Sequence, residues 1–261
     1  MKVGIFDSGI GGLTVLKELI KKYPNNKYYY YGDNINAPYG TKTKEELLKL
    51  SNRIIDFLNK KEVDLIIVAC GTISSNVFDK LPKDTLIYDV ISPTIDYINK
   101  CDYQNIGLIG TNMTIRSKTF EKRINKKLIT KACFDFVPCI ENNDNIIDII
   151  PKYIKDLKGK IDVLILGCTH YPIIEKELSD YLDNKVLLIN MGKILADSLE
   201  LGNKEKEIRL YFSKVNHTLI SNIDKIIKDK YYLEELVLEE NDARITRSRN
   251  SKGNIKETNF K

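Results

Sequence analysis

The chain has 261 residues, 43% hydrophobic and 30% charged, a composition typical of globular proteins and a length sufficient for two modest cores or one large α/β core. Its 41 basic and 36 acidic side chains are interspersed, so the net charge of +5 reads as solvated helix faces and no nucleic-acid partner is expected. No apolar run approaches the roughly 20 residues of a bilayer-crossing helix, and no membrane association is expected.

The amino terminus, Met1-Lys2-Val3-Gly4-Ile5-Phe6, reads directly as a strand and lacks the pattern of a signal peptide, so the expected location is the cytoplasm. The first loop, Asp7-Ser8-Gly9-Ile10-Gly11-Gly12, leads into a helix from Leu13 whose apolar positions share one face. Its glycines would let backbone N–H groups converge on an anion at a helix amino terminus, or simply form a tight turn with Asp7 capping the helix. It is no nucleotide fingerprint, because GxGxxG would need glycine at Thr14 and a P-loop would need a GK[ST] ending.

A tyrosine-rich strand at 28–31 leads to Gly32-Asp33-Asn34-Ile35-Asn36-Ala37-Pro38-Tyr39-Gly40, which reads as a surface loop or as a source of backbone donors and a phenol. An amphipathic helix is expected over 44–59, with Leu47, Leu48, Ile54, Ile55 and Leu58 on its apolar face. Further strands read at 65–69, 86–89, 106–109, 163–166 and 186–189, most separated by helical patterns, which argues for parallel βα units. The loop Gly110-Thr111-Asn112-Met113-Thr114 is explained most simply as a helix cap. Ser92-Pro93 and Leu201-Gly202-Asn203 interrupt the periodicity and mark crossings between two halves. Residues 244–261 are polar and net basic and read as a mobile tail.

Two segments repeat one another: Val63-Asp64-Leu65-Ile66-Ile67-Val68-Ala69-Cys70-Gly71-Thr72 and Ile161-Asp162-Val163-Leu164-Ile165-Leu166-Gly167-Cys168-Thr169-His170. An unbroken apolar run is the pattern of a strand buried on both faces, and ligands of open α/β sheets bind at the strands' carboxyl ends. The pattern therefore puts one thiol at the functional rim of each half of a duplicated unit, as a pair of acid/base groups would be. Five cysteines, an odd number with no CxxC pair, fit reduced thiols, and Cys101, Cys133 and Cys139 read as small buried hydrophobes. Two alternatives stay open: a zinc site made of Cys70, Cys168, His170 and Asp7, or a cysteine nucleophile with His170 as its base.

Phe6-Asp7-Ser8-Gly9-Ile10-Gly11-Gly12-Leu13-Thr14-Val15, Gly32-Asp33 with Pro38-Tyr39-Gly40-Thr41-Lys42, Ile109-Gly110-Thr111 with Thr114-Ile115 and Ser117, and Leu166-Gly167-Cys168-Thr169-His170-Tyr171-Pro172 together resemble the glutamate racemases of the aspartate/glutamate racemase superfamily. The resemblance follows the family's order and spacing across roughly residues 1–215. It implies an α/β fold of two similar domains, each a mainly parallel sheet flanked by helices, with the active site in the cleft between them. The first lobe would be discontinuous, residues 1–92 with 205–243, the final helices returning to it, and the second would span 93–204.

The implied activity is interconversion of L- and D-glutamate without cofactor or metal, supplying D-glutamate for peptidoglycan, with glutamate as small-molecule partner and a homodimer left open. By this resemblance Cys70 serves one face of the substrate, assisted by Asp7 with Asp33 nearby, and Cys168 the other, assisted by His170 and Glu141. Ser8, Tyr39, Gly40, Gly71, Thr72, Thr111, Thr114 and Thr169 would line the substrate, with Asp7 and His170 also in contact. The chain departs from the family at Cys70-Gly71-Thr72, where Cys-Asn-Thr is usual, and at Ile189-Asn190-Met191-Gly192, where an Asp-Ser pair is frequent. The missing asparagine leaves room beside the thiol, which raises racemisation of aspartate or a related acid, or a non-catalytic binding member, as alternatives.

Overall fold

The structure is a computed structural model in which residues 1–239 are described; the tail expected over 244–261 lies outside them. Among the described residues ten strands run in chain order as β1 (Lys2–Asp7), β2 (Lys27–Gly32), β3 (Leu65–Val68), β4 (Ile87–Asp89), β5 (Ile106–Gly110), β6 (Leu128–Ala132), β7 (Val163–Leu166), β8 (Leu187–Asn190), β9 (Glu207–Phe212) and β10 (Tyr232–Glu235). They form two sheets with parallel pairing throughout, β10-β9-β2-β1-β3-β4 and β6-β5-β7-β8. The run β2-β1-β3-β4 has the same strand order as the whole second sheet, so β3 and β7 are topological equivalents. Every side chain of both strands is buried, as continuous aliphatic runs require when helices cover both faces.

The helices are α1 (Leu13–Lys22), α2 (Lys44–Asn59), α3 (Gly71–Asn76), α4 (Ile91–Lys100), α5 (Asn112–Ser117), α6 (Thr119–Arg123), α7 (Phe136–Asn142), α8 (Ile150–Ile154), α9 (Glu175–Tyr181), α10 (Met191–Ser198) and α11 (His217–Ile226). The long α2 starts where local chemistry dictates: Thr43 accepts from the Glu46 N–H, and the Glu46 carboxylate accepts from the Thr43 N–H. One hydrophobic core runs through both sheets, taking Val3, Ile5 and Ile67 from the first and Ile106, Leu108 and Ile165 from the second, with α1, α4 and α10 between them. Separate clusters fill the outer side of each sheet.

Two sequence expectations need correction, and one strand was missed. Ser92-Pro93 is not a break, because Pro93 occupies the first turn of α4, where a missing N–H is tolerated. Beyond Lys204 the described residues of the returning segment carry two strands, β9 and β10, as well as one helix, α11. The short β6 went unread because its residues are half-exposed and its sequence, LITKA, carries a lysine. Among the described residues no helix is long and apolar enough to cross a membrane.

Candidate active site

The carboxyl ends of the two sheets meet at a cavity of about 390 Å3 lined from both sides. From the first sheet come Asp7 at the end of β1 and Cys70 two residues beyond β3; from the second come Thr111 beyond β5 and Cys168 two residues beyond β7. Both cysteines are free thiols, 4% and 6% exposed. Ser8, Tyr39, Gly40, Gly71, Thr72, Thr169, His170 and Glu141 also line the cavity.

On the second lobe the side chains form a chain of contacts. Sγ of Cys168 lies 3.7 Å from Nδ1 of His170, and Nε2 of His170 lies 2.8 Å from Oε1 of Glu141. Burial alone would push the imidazole pKa down, but Cys168 and Glu141 outweigh it and hold His170 well above its ordinary 6.5. Glu141 is the complement: burial pushes its carboxyl up, while His170 and the Ile10 backbone N–H more than offset that and leave it below 4.5. The pair is therefore an imidazolium donating to a carboxylate, with a sulfur on the other side of the ring.

The first lobe is electrostatically different. Burial is the main cause that pushes the Cys70 thiol well above 9, the Asp7 carboxylate adds to it, and the Ile73 N–H opposes it. Cys70 is thus held as a neutral thiol. Asp7 Oδ2 accepts from the Gly12 N–H at 2.6 Å and from Thr169 Oγ1 at 3.4 Å. Its other oxygen, Oδ1, is buried without a hydrogen-bond partner, a costly condition for a carboxylate unless a donor arrives.

The glycine loop also has a task that its composition did not suggest. Asp7 closes the turn, and the surface left open by the glycines is where the other lobe seats: a Cβ at Gly11 would lie 2.3 Å from Nδ1 of His170 and 2.6 Å from Oγ1 of Thr169. Thr14 Oγ1 fastens this contact by donating to the Thr169 carbonyl oxygen at 2.9 Å. At Gly71 the space expected beside the thiol is already taken by main chain, for a Cβ there would lie 2.8 Å from the Gly167 carbonyl oxygen. The hydroxyls of Thr72 and Thr111 meet across the cleft at 3.1 Å.

Two expected residues stand behind the cavity wall. Asp33 is 3% exposed and its carboxylate is committed to Tyr39 Oη at 2.6 Å and to Asn36 Nδ2 at 3.0 Å, so it anchors the Tyr39 phenol instead of facing the cavity. Burial, then Asp33, raise the Tyr39 pKa well above 10, which keeps that phenol a donor. Thr114 is 1% exposed and is turned to Thr111, whose side chain caps α5, in line with the capping role expected for this loop.

Sequence reasoning missed that Cys133, buried in the core as expected, also lines the cavity directly after β6, the place Asp33 holds after β2. It also missed the apolar wall of Phe134, Val137 and Pro138. The Cys133 position could have been found from the repeat once β6 was recognised. Among the described residues no group of three or more His, Cys, Asp or Glu is placed to hold a metal, so the four-residue zinc set does not assemble.

No protein-family model matches the chain. It is 38% identical over 242 residues to a glutamate racemase of Aquifex aeolicus, covering 87% of this chain and 93% of that protein. A glutamate racemase of Fusobacterium nucleatum is 40% identical over 224 residues, 79% of this chain and 85% of the relative. Among solved structures, glutamate racemase from Francisella tularensis in complex with D-glutamate superposes with a TM-score of 0.79 at 30% identity, covering 91% of this chain and 98% of that one.

Proposed function

The chain belongs to the glutamate racemase family and is an amino-acid racemase, and from that premise we propose that it interconverts L- and D-glutamate by a two-thiol mechanism that needs no cofactor. The observation that carries the mechanism is the placement of Cys70 and Cys168 at equivalent strand ends of two sheets, lining one cavity. Inversion at Cα requires a base on one face and an acid on the opposite face. A thiolate takes the Cα proton, the electron pair passes into the α-carboxylate, and the opposing thiol returns a proton to Cα from the other side. Each turnover thus leaves the two sulfurs with exchanged protonation, and the reverse reaction uses them in exchanged roles. A thiol whose ordinary pKa is about 8.5 can serve both roles if its neighbours tune it.

The asymmetry between the two lobes supports this division of labour. Cys70 is held as the proton-bearing member, and His170, paired with Glu141, stands beside Cys168 as a group able to hold or pass a proton. The unpartnered Oδ1 of Asp7 suits the substrate ammonium, which would also offset the charge that raises the Cys70 pKa. Hydroxyls and backbone N–H groups of Ser8, Thr72, Thr111 and Thr169 suit the carboxylates, where fixed donors stabilise charge developing at the α-carboxylate. With no electron-sink group assigned, positioning and these donors must supply most of the acceleration.

Gly71 gives no support to an aspartate-specific site, because the space beside it is filled by the Gly167 carbonyl. The cellular role that fits is supply of D-glutamate to peptidoglycan in the cytoplasm. Incubation with L-glutamate in D2O tests the reading: deuterium should appear at Cα together with the D enantiomer. Absence of both at high enzyme concentration overturns it.

A further inference from the structure

Glu141 sits in the last turn of α7, a seven-residue helix. Carbonyl groups of a last turn have no N–H partner within their helix. The donor for the Glu141 carbonyl comes from the other lobe: Nδ2 of Asn222, on α11, donates to it at 3.1 Å. Asn222 is a buried amide, 5% exposed, and its side chain has no reason to be there on hydrophobic grounds. Three residues on, along the same face of α11, Lys225 donates from Nζ to Oδ1 of Asn143 at 2.5 Å, which puts a cation at the carboxyl end of α7, where the helix dipole favours one. Asn143 ends α7 in the left-handed conformation, with φ of 59°.

α11 thus grips the end of α7 at the residue whose carboxylate holds His170. The Glu141 side chain is itself held by His170 Nε2 of the second lobe, and its Oε1 lies against the glycine loop of the first, 2.8 Å from where a Cβ of Gly9 would be. We infer that Asn222 is a positioning residue for proton transfer at the Cys168 face, acting through Glu141 and His170. The inference rests on the two-thiol reading above. No residue of α11 lines the cavity, so loss of the Asn222 amide affects one of the two proton transfers and leaves the other.

Asn222→Leu, close in size and without the donor, and Asn222→Ser, which keeps a small polar group, test this in the wild-type and Glu141→Gln backgrounds. Asn222→Leu is expected to lower kcat/KM about 10-fold in the wild-type background and less than about 2-fold in Glu141→Gln, with Asn222→Ser in between. The equilibrium between enantiomers is unity, so kcat/KM must fall equally in both directions for any variant. The isotope effect need not follow: with Cα-deuterated substrates it should rise for the enantiomer deprotonated at the Cys168 face and fall for the other. A general loosening of the fold would move neither apart. An equal loss in both backgrounds, or isotope effects unchanged for both enantiomers, overturns the inference while an active wild-type enzyme leaves the two-thiol reading standing. Wild-type protein without α-proton exchange overturns that reading, and this one with it. If Asn222→Leu does not fold, the same cycle with Asn222→Ser decides the matter.

Discussion

Adding a single methyl group at Gly71 should damage catalysis through the opposite lobe. A Cβ at this position would lie 2.8 Å from the carbonyl oxygen of Gly167, whereas ordinary contact begins at 3.4 Å, so the two segments must part by about 0.6 Å. Gly167 has no slack to give: its own missing Cβ points at the Ile109 carbonyl oxygen at 2.6 Å, and its N–H is bonded to that same oxygen at 2.7 Å. The displacement therefore falls on the α3 end of the contact, which carries Cys70, or on Cys168, the next residue. Overpacking of this kind costs about 1–3 kcal/mol of stability. A misplacement of about 1 Å can cost 10²-fold in rate, so roughly half of that should cost on the order of 10-fold in kcat for Gly71→Ala. Gly71→Asn, which restores the side chain usual in the family, should be worse than Gly71→Ala instead of better. Steady-state racemisation by circular dichroism and a thermal melt measure both effects. Wild-type kcat and Tm in Gly71→Ala, or improved kcat in Gly71→Asn, would refute the reasoning.

Three further outcomes follow from the site. His170 is held above its ordinary 6.5, so its contribution to stability is complete below about pH 6.5 and is lost as pH rises through the folded-state value; Tm measured from about pH 6.5 to 9 should fall more steeply for wild type than for His170→Asn. Glu141, held below 4.5, has the opposite sign: its contribution is present above about pH 4.5 and disappears as pH falls through its lowered value, so Glu141→Gln should flatten the acid limb of the same curve. Tyr39→Phe removes the 2.6 Å donor from a buried carboxylate that keeps, among the described residues, the Asn36 amide, and should cost about 1–3 kcal/mol by denaturant titration; an unchanged midpoint would show that Asp33 is satisfied without it.

The repeated apolar runs made the central strands and both thiols legible, because strands buried on both faces leave an unbroken aliphatic signature and the next loop must then be at the ligand-binding edge. The capping box that starts α2 is equally local, and the expected helix over 44–59 matches Lys44–Asn59. What the sequence did not reveal depends on partners far along the chain. β6, at a sheet edge, has half-exposed faces, so its pattern resembles a loop, and with it the position of Cys133 at the cavity was lost. Asp33 was expected near the reacting centre, but three residues on, the Asn36 amide, and then the Tyr39 phenol, turn it inward, a local geometry that spacing does not specify. The glycine loop shows the same limit: its composition suggested an anion site or a tight turn closed by Asp7, and only the opposing His170 and Thr169 explain why Gly11 has no side chain. Asn222 carries no motif at all, since its role is set by a carbonyl 81 positions away.

The claim that most of this depends on is that each sulfur serves one face of Cα. Cys70→Ala and Cys168→Ala, each incubated separately with L- and D-glutamate in D2O and followed by NMR and chiral analysis, test it directly. Each variant should lose racemisation by about 10²–10⁴-fold or more, and residual deuterium exchange should be confined to one enantiomer for Cys70→Ala and to the opposite enantiomer for Cys168→Ala. Normal racemisation by either variant, or exchange of the same enantiomer by both, would contradict it.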